Sequence, residues 1–172
     1  MENELYSNTK YSFERNESKT IVINVSMTTT DNTFDVPLSE ILTIDKHSNI
    51  YLDSLTTFYC KTSRDPDNAI TGDNMGFILS IDQFEMKSVS NTSGIGRSIF
   101  IPNDQNINTA ATGASVQDLA ISKTHKGKKL NYICSINPTN INRISGKLTN
   151  INGGTVFAGT GRFIAEFVIT SK

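Results

Sequence analysis

A chain of 172 residues with sixteen basic and seventeen acidic side chains has a formal net charge of −1, so no global field draws it to nucleic acid or to an acidic membrane. That length suits one domain, which can bury roughly 70% of the surface its unfolded form exposes and so fold on a hydrophobic core alone. With 37% hydrophobic and 19% charged residues, no Trp and abundant Asn, Ser, Thr and Ile, the composition favours strands and long turns over helices. β-Branched residues fit pleated surfaces, while Asn, Ser and Thr compete with helical hydrogen bonds.

Residues 1–17, MENELYSNTKYSFERNE, mix charge with aromatics and hold no sustained period. They read as an arm outside the main fold: either a frayed terminus or a segment that docks on a neighbour through Tyr6, Tyr11 and Phe13, which are assembly contacts on composition alone. The start lacks the apolar stretch of a signal peptide, and no run approaches membrane-spanning length. Synthesis in the cytosol without membrane insertion is therefore expected, and the sequons at Asn16, Asn24 and Asn91 carry little weight.

From Thr20 a period of two takes over. In TIVINVSM, Ile21, Ile23, Val25 and Met27 share one face, and Thr20, Asn24 and Ser26 share the other with only Val22 apolar. TFDVPL repeats the pattern with Phe34, Val36 and Leu38, and Pro37 marks an edge or a strand end. NIYLDSLTTFYC is a longer strand rich in aromatic and β-branched residues; KTSRDPDNAITGDN after it carries loop signals throughout. GFILSIDQF sets Phe77, Leu79 and Ile81 against Ser80 and Asp82, and RSIFIPN is a short strand stopped by Pro102.

A long polar loop, NDQNINTAATGAS, follows, and VQDLAIS fits a helical turn or a poor strand equally well. KTHKGKK at 123–129 is the one local basic cluster, a solvated loop or a guarded sheet edge by default and only a weak candidate for touching phosphate. KLNYICSINP restores alternation, with Leu130, Tyr132, Cys134 and Ile136 expected on one face. INRISGKLTNI is a further strand, with a bend expected at Gly146.

The closing stretch NGGTVFAGTGRFIAEFVITSK admits two readings. A phosphate-cradling loop leads into a helix. Here Phe163, Ala165, Phe167 and Ile169 form an apolar row with Arg162, Glu166 and Thr170 opposite, which is a strand period, and no Lys-Ser/Thr pair follows the glycines. The glycines are therefore expected to serve a turn. SGIGRS at 93–98 also leads into a strand.

Candidates for chemistry are few. His47 and His125 lie in polar stretches. Cys60 and Cys134 occupy apolar strand patterns, where they are expected to be reduced and to face the interior, which disfavours a Cys–His dyad. Asp65, Asp67 and Asp73 with Asn68 and Asn74 read as Asx turns, since the closing Glu of a calcium loop is missing. Two histidines without partners make no zinc site. Asp53, Asp82 and Glu166 fall on strands whose spatial relation the sequence leaves open, so a carboxylate pair suited to glycoside cleavage is one reading and a solvated face the default. No catalytic residue, cofactor or metal ligand is expected, and no enzymatic activity.

About eight or nine strands joined by polar turns predict an all-β, two-sheet antiparallel sandwich, a single jelly roll of about eight strands over 18–172 behind the arm at 1–17. IYLDSLTTFY, FILSIDQF, IFIPN, LNYICSINPTNINRISGKLT and GRFIAEFVI together resemble jelly-roll minor capsid or penton proteins of large eukaryotic DNA viruses and their smaller relatives, over roughly residues 48 to 170. The resemblance implies a non-enzymatic structural role in the virion, after synthesis in the host cytoplasm. It implies a homo-oligomer, a pentamer in the penton case, in contact with the major capsid protein and other virion proteins. It carries no active-site residues. The alternative is a lectin-like or receptor-binding jelly roll whose loops, such as 63–76 and 103–115, hold a glycan or a host surface.

Overall fold

The alternation that begins near Thr20 becomes β1 (Ser18–Met27), which buries Ile21, Ile23, Val25 and Met27 and turns Thr20, Val22, Asn24 and Ser26 outward. The computed structural model describes residues 18–61, 74–85, 98–104, 122–125 and 131–171. Eight further strands follow: β2 (Thr33–Ile44), β3 (Ser48–Cys60), β4 (Gly76–Ile81), β5 (Ile99–Pro102), β6 (Ser122–His125), β7 (Asn131–Ile136), β8 (Thr139–Thr149) and β9 (Phe157–Ser171). There is no helix among the described residues.

Two antiparallel sheets form a sandwich. One runs β1-β9-β3-β6, with β7 also on β3; the other runs β2-β8-β4-β5. β6 and β7 lie end to end along one edge of β3, His125 opposite Leu55 and Asn131 opposite Leu52. Counted as one interrupted strand, they reduce nine strands to eight, four in each sheet. Every connection crosses between the sheets except β4 to β5 and the β6–β7 interruption, the interleaving of a jelly roll.

The core fills the space between the sheets. Phe163, Ala165, Phe167 and Ile169 of β9 are all buried as their spacing predicted, with Phe34 edge-on to Phe163 at 5.2 Å and Phe84 edge-on to Phe167 at 5.4 Å. Burying Phe163, Phe167 and Ile169 contributes about 5–8 kcal/mol at the usual transfer value, an upper figure because unfolded chains already hide some apolar surface. Pro37 lies on β2, an edge strand, where its missing N–H leaves no ladder bond unmade.

Several expectations are corrected by the way strands meet. Only Gly153, in the left-handed region at φ 81°, and Gly154 belong to the turn before β9. Asn150 closes that turn, its Oδ1 accepting the N–H groups of Asn152 and Gly154 at 3.1 and 2.7 Å. Gly159 and Gly161 lie inside β9. A Cβ on Gly161 would stand 2.2 Å from the Phe157 ring and 2.8 Å from the Phe58 carbonyl oxygen, so close approach, not turning, requires glycine there.

Tyr132 does not share the inner face with Cys134. Ile50 opposes Cys134 while its neighbour Tyr51 opposes Tyr132, so Ile133 is the extra residue of a β-bulge, and Tyr132 turns outward, 53% exposed. The bend expected at Gly146 is absent from the register: that residue pairs with Phe34 and Ile81, and a Cβ on it would meet the Ser80 carbonyl oxygen at 2.0 Å. The irregularity falls instead on β2, where residues 38–41 stand against Asn142 alone. Tyr6, Tyr11 and Phe13, the aspartates Asp65, Asp67 and Asp73, Leu130 and residues 116–121 lie outside the described residues.

Candidate functional site: an outer sheet face and a buried histidine

Because β1, β9, β3 and β6/β7 alternate in register, their outward residues line up in rows across the five-stranded sheet. Thr20, Val168, Tyr51 and Tyr132 form one row; Asn24, Ile164, Thr56 and Thr124 form another; Ser26, Arg162, Phe58 and Ser122 form a third. Between the first two lie Val22, Glu166 and Ser54. Val22, Phe58, Tyr132 and Ile164 are large apolar side chains left exposed on this face, and Tyr51 and Tyr132 meet edge to face at 5.7 Å. Hydroxyls fill much of the remainder, with Thr56 and Thr124 bonded across strands at 3.0 Å.

At the Phe58 end of the face the backbone is irregular. Phe58 opposes Arg162 and Cys60 opposes Phe157, so Tyr59 alone stands against residues 158–161 of β9. Tyr59 takes up the mismatch in a left-handed conformation, φ 64°, which a bulky side chain adopts only at a cost on the order of 1–3 kcal/mol. Its ring lies over Gly159, where a Cβ would come within 2.4 Å of Cε1. Beside this excursion an open groove of about 350 Å³ is lined by Ser26, Thr56, Phe58, Ser122, Thr160 and Arg162, among others. It combines an exposed aromatic ring, four hydroxyls and a guanidinium whose described contact is a 3.5 Å bond to Ser26 Oγ.

His125 is the largest departure from the sequence reading. Placed there in a polar loop, it ends β6 opposite Leu55 on the inner face and is 2% exposed. Its Nε2 lies 2.7 Å from Thr57 Oγ1 and its Nδ1 2.9 Å from Asp104 Oδ1, while Phe77 meets the ring edge to face at 4.6 Å. Thr57 Oγ1 also stands 3.1 Å from Cys60 Sγ. The Thr57 hydroxyl has one hydrogen to give. With Nδ1–H donated to Asp104, the neutral ring takes that hydrogen at Nε2; with both ring nitrogens protonated, it goes to sulfur.

Burial pushes the Cys60 thiol up to about 11, against the Thr57 hydrogen bond that lowers it. Burial likewise holds His125 below its ordinary value, opposed by the Asp104 charge and hydrogen bond. A thiol so raised stays protonated at neutral pH, and Thr57 and Cys60 are fully enclosed, so the group serves as a buried link between the two sheets. Asn103 pins the same end, its Nδ2 donating to the Lys61 and Asn74 carbonyl oxygens, both at 2.9 Å. The first residues of the polar stretch after Pro102 are therefore structural anchors.

The remaining candidates do not converge. His47 is exposed in the β2–β3 turn, Nδ1 3.2 Å from Asn137 Oδ1, and Cys134 is buried on β7. Asp53 is the extra residue of a bulge between Leu52 and Ser54; Asp82 follows β4 on the other sheet, accepting the Ser145 hydroxyl at 2.7 Å; Glu166 faces outward from β9. No group of three or more His, Cys, Asp or Glu able to hold a metal occurs among the described residues. No helix of the described residues is long and apolar enough to cross a membrane. Comparison with protein-family models, curated proteins and solved structures finds no match for this chain.

Proposed function

We propose that the chain is a structural subunit of a viral shell, a penton or other minor capsid component, made in the host cytoplasm and carried in the virion. It acts without catalysis, by symmetric association with its own copies and by contact with the major capsid protein. The observation that carries this reading is the single jelly roll, its surface bearing Val22, Ile41, Phe58, Tyr132 and Ile164 as exposed large apolar side chains. The sequence resemblance over residues 48 to 170 points the same way. A sandwich of this kind has two open ends and free sheet edges that can be shaped to neighbours, and ring assembly needs only one repeated head-to-tail contact. The test is the mass of the purified chain by light scattering, with mass spectrometry of purified particles. Rings of copies, five in the penton case, and presence in particles are expected; a chain monomeric at every concentration and absent from particles overturns the reading.

A second reading, a binding module for a glycan, is favoured by the groove beside Phe58. An exposed ring flanked by hydroxyls and a guanidinium is the chemistry that stacks on a sugar face and bonds its hydroxyls. Glycan-array binding that is lost in Phe58→Ala, from a chain that does not self-associate, decides for it.

A further inference from the structure

The four sheet edges differ in how they are guarded. On β2, Pro37 has no N–H to offer and residues 38–41 bulge out against Asn142. β5 is only four residues long and ends at Pro102. The β6/β7 edge is divided between two short strands, β6 ending at His125 opposite Leu55 and β7 beginning at Asn131 opposite Leu52, and is broken again by the bulge at Ile133. Proline, brevity and bulges are the usual means by which an edge refuses another strand.

β1 has none of them. It pairs with β9 residue for residue over all ten positions, without proline, glycine or register shift. Residues 20–27 carry no charge, and the one cation, Lys19, is drawn across to β2, donating to the Thr43 carbonyl oxygen at 2.6 Å and lying 3.4 Å from Asp45. In a strand paired on one side, alternate residues aim N–H and C=O at the open side. Among the described residues, β9 alone bonds the β1 backbone.

We propose that β1 pairs antiparallel with β1 of a second copy about a two-fold axis at Val22, joining two five-stranded sheets into one continuous sheet. This rests on the self-association reading above and adds a two-fold contact to it. A register slip of one residue would oppose inward and outward side chains, so the allowed registers keep the faces matched. Of these, the one centred on Val22 covers the most exposed apolar residue of the strand, 58% accessible, with its own copy. Thr20 then faces the partner's Asn24, Ser18 the partner's Ser26, and Ile21 the partner's Ile23. The pairing is self-complementary, as a two-fold contact must be, and sets no like charges opposite one another.

The flank is large enough. Nine paired residues extend about 30 Å, and two sheets about 10 Å apart with their side chains present a side about 20 Å deep. That is about 600 Å² per copy and about 1,200 Å² in total, the lower bound of a stable interface. Lys19 shows that β2 borders the same side.

Cysteine cross-linking with light scattering tests the pairing. Under mild oxidant, Val22→Cys should give a disulfide-linked dimer in high yield, since the two copies of position 22 face each other. Thr20→Cys alone should not, and Thr20→Cys with Asn24→Cys should. Val22→Lys sets like charges opposite each other and should raise the dimer dissociation constant about tenfold or more, with the circular dichroism spectrum unchanged because Val22 is exposed. If the wild-type chain assembles but Val22→Cys cross-links no better than wild type and Val22→Lys keeps its mass, the β1 contact is wrong and the shell reading stands. A wild-type chain that is monomeric throughout and missing from particles removes both.

Discussion

The two long sides of the sandwich are closed in opposite ways. Where β5 meets β6, short and interrupted strands are tied by a buried polar group: His125 joins Thr57 of one sheet to Asp104 beyond the end of the other, against Phe77. Where β1 meets β2, the tie between sheets is the partly exposed Lys19 reaching Thr43 and Asp45, and the long β1 edge is left regular. The first side satisfies its polar groups internally; on the second, among the described residues, β9 alone bonds the β1 backbone and Val22 is exposed.

Substitutions on each side measure that difference. His125→Ala should have the largest effect: it empties a ring-sized space beside Phe77 and strips Thr57 of a partner, a loss of about 3 kcal/mol read by urea denaturation. Thr57→Val keeps the volume but leaves Nε2 of a buried imidazole unpaired, so about 2 kcal/mol is expected from the same measurement. A loss under about 0.5 kcal/mol for both would mean that the histidine does not hold this side together.

Acid sharpens the contrast. Because burial depresses the His125 pKa, the unfolded chain takes up the proton first as pH falls. The stabilising contribution is full above the unfolded value near 6.5 and is lost as pH falls through the folded value. The melting temperature should thus fall as pH drops below the unfolded value near 6.5, and His125→Gln should flatten that fall. An equal slope in the variant would assign the acid response elsewhere. Lys19→Ala, on the side tied by a solvated ion pair, should change stability by less than about 1 kcal/mol, and the difference should shrink further in high salt.

The strand faces of β1 and β9 were legible because alternation is a local signal: each residue's side follows from its neighbour's. So were the edge position of Pro37 and the stop at Pro102, since a missing N–H restricts a residue wherever it stands. Tyr132 and Cys134 were misread because a bulge is decided by the partner strand, and nothing within KLNYICSINP marks Ile133 as the residue that β3 leaves unpaired. Tyr59 was silent for the same reason. The glycines at 159 and 161 were the visible half of that mismatch, yet their role depends on rings and a carbonyl brought from Tyr59, Phe157 and Phe58.

By itself the sequence determined that this protein is a β-sandwich, where most of its strands run, and which side chains of its first and last strands face inward, because period and composition act over a few residues. Tertiary structure alone decided that His125 is a buried link between sheets, through Thr57 and Asp104, 68 and 21 residues away. It alone decided which of four edges runs without proline, bulge or interruption. Both depend on which strands become neighbours, and that is set by the packing of the whole chain.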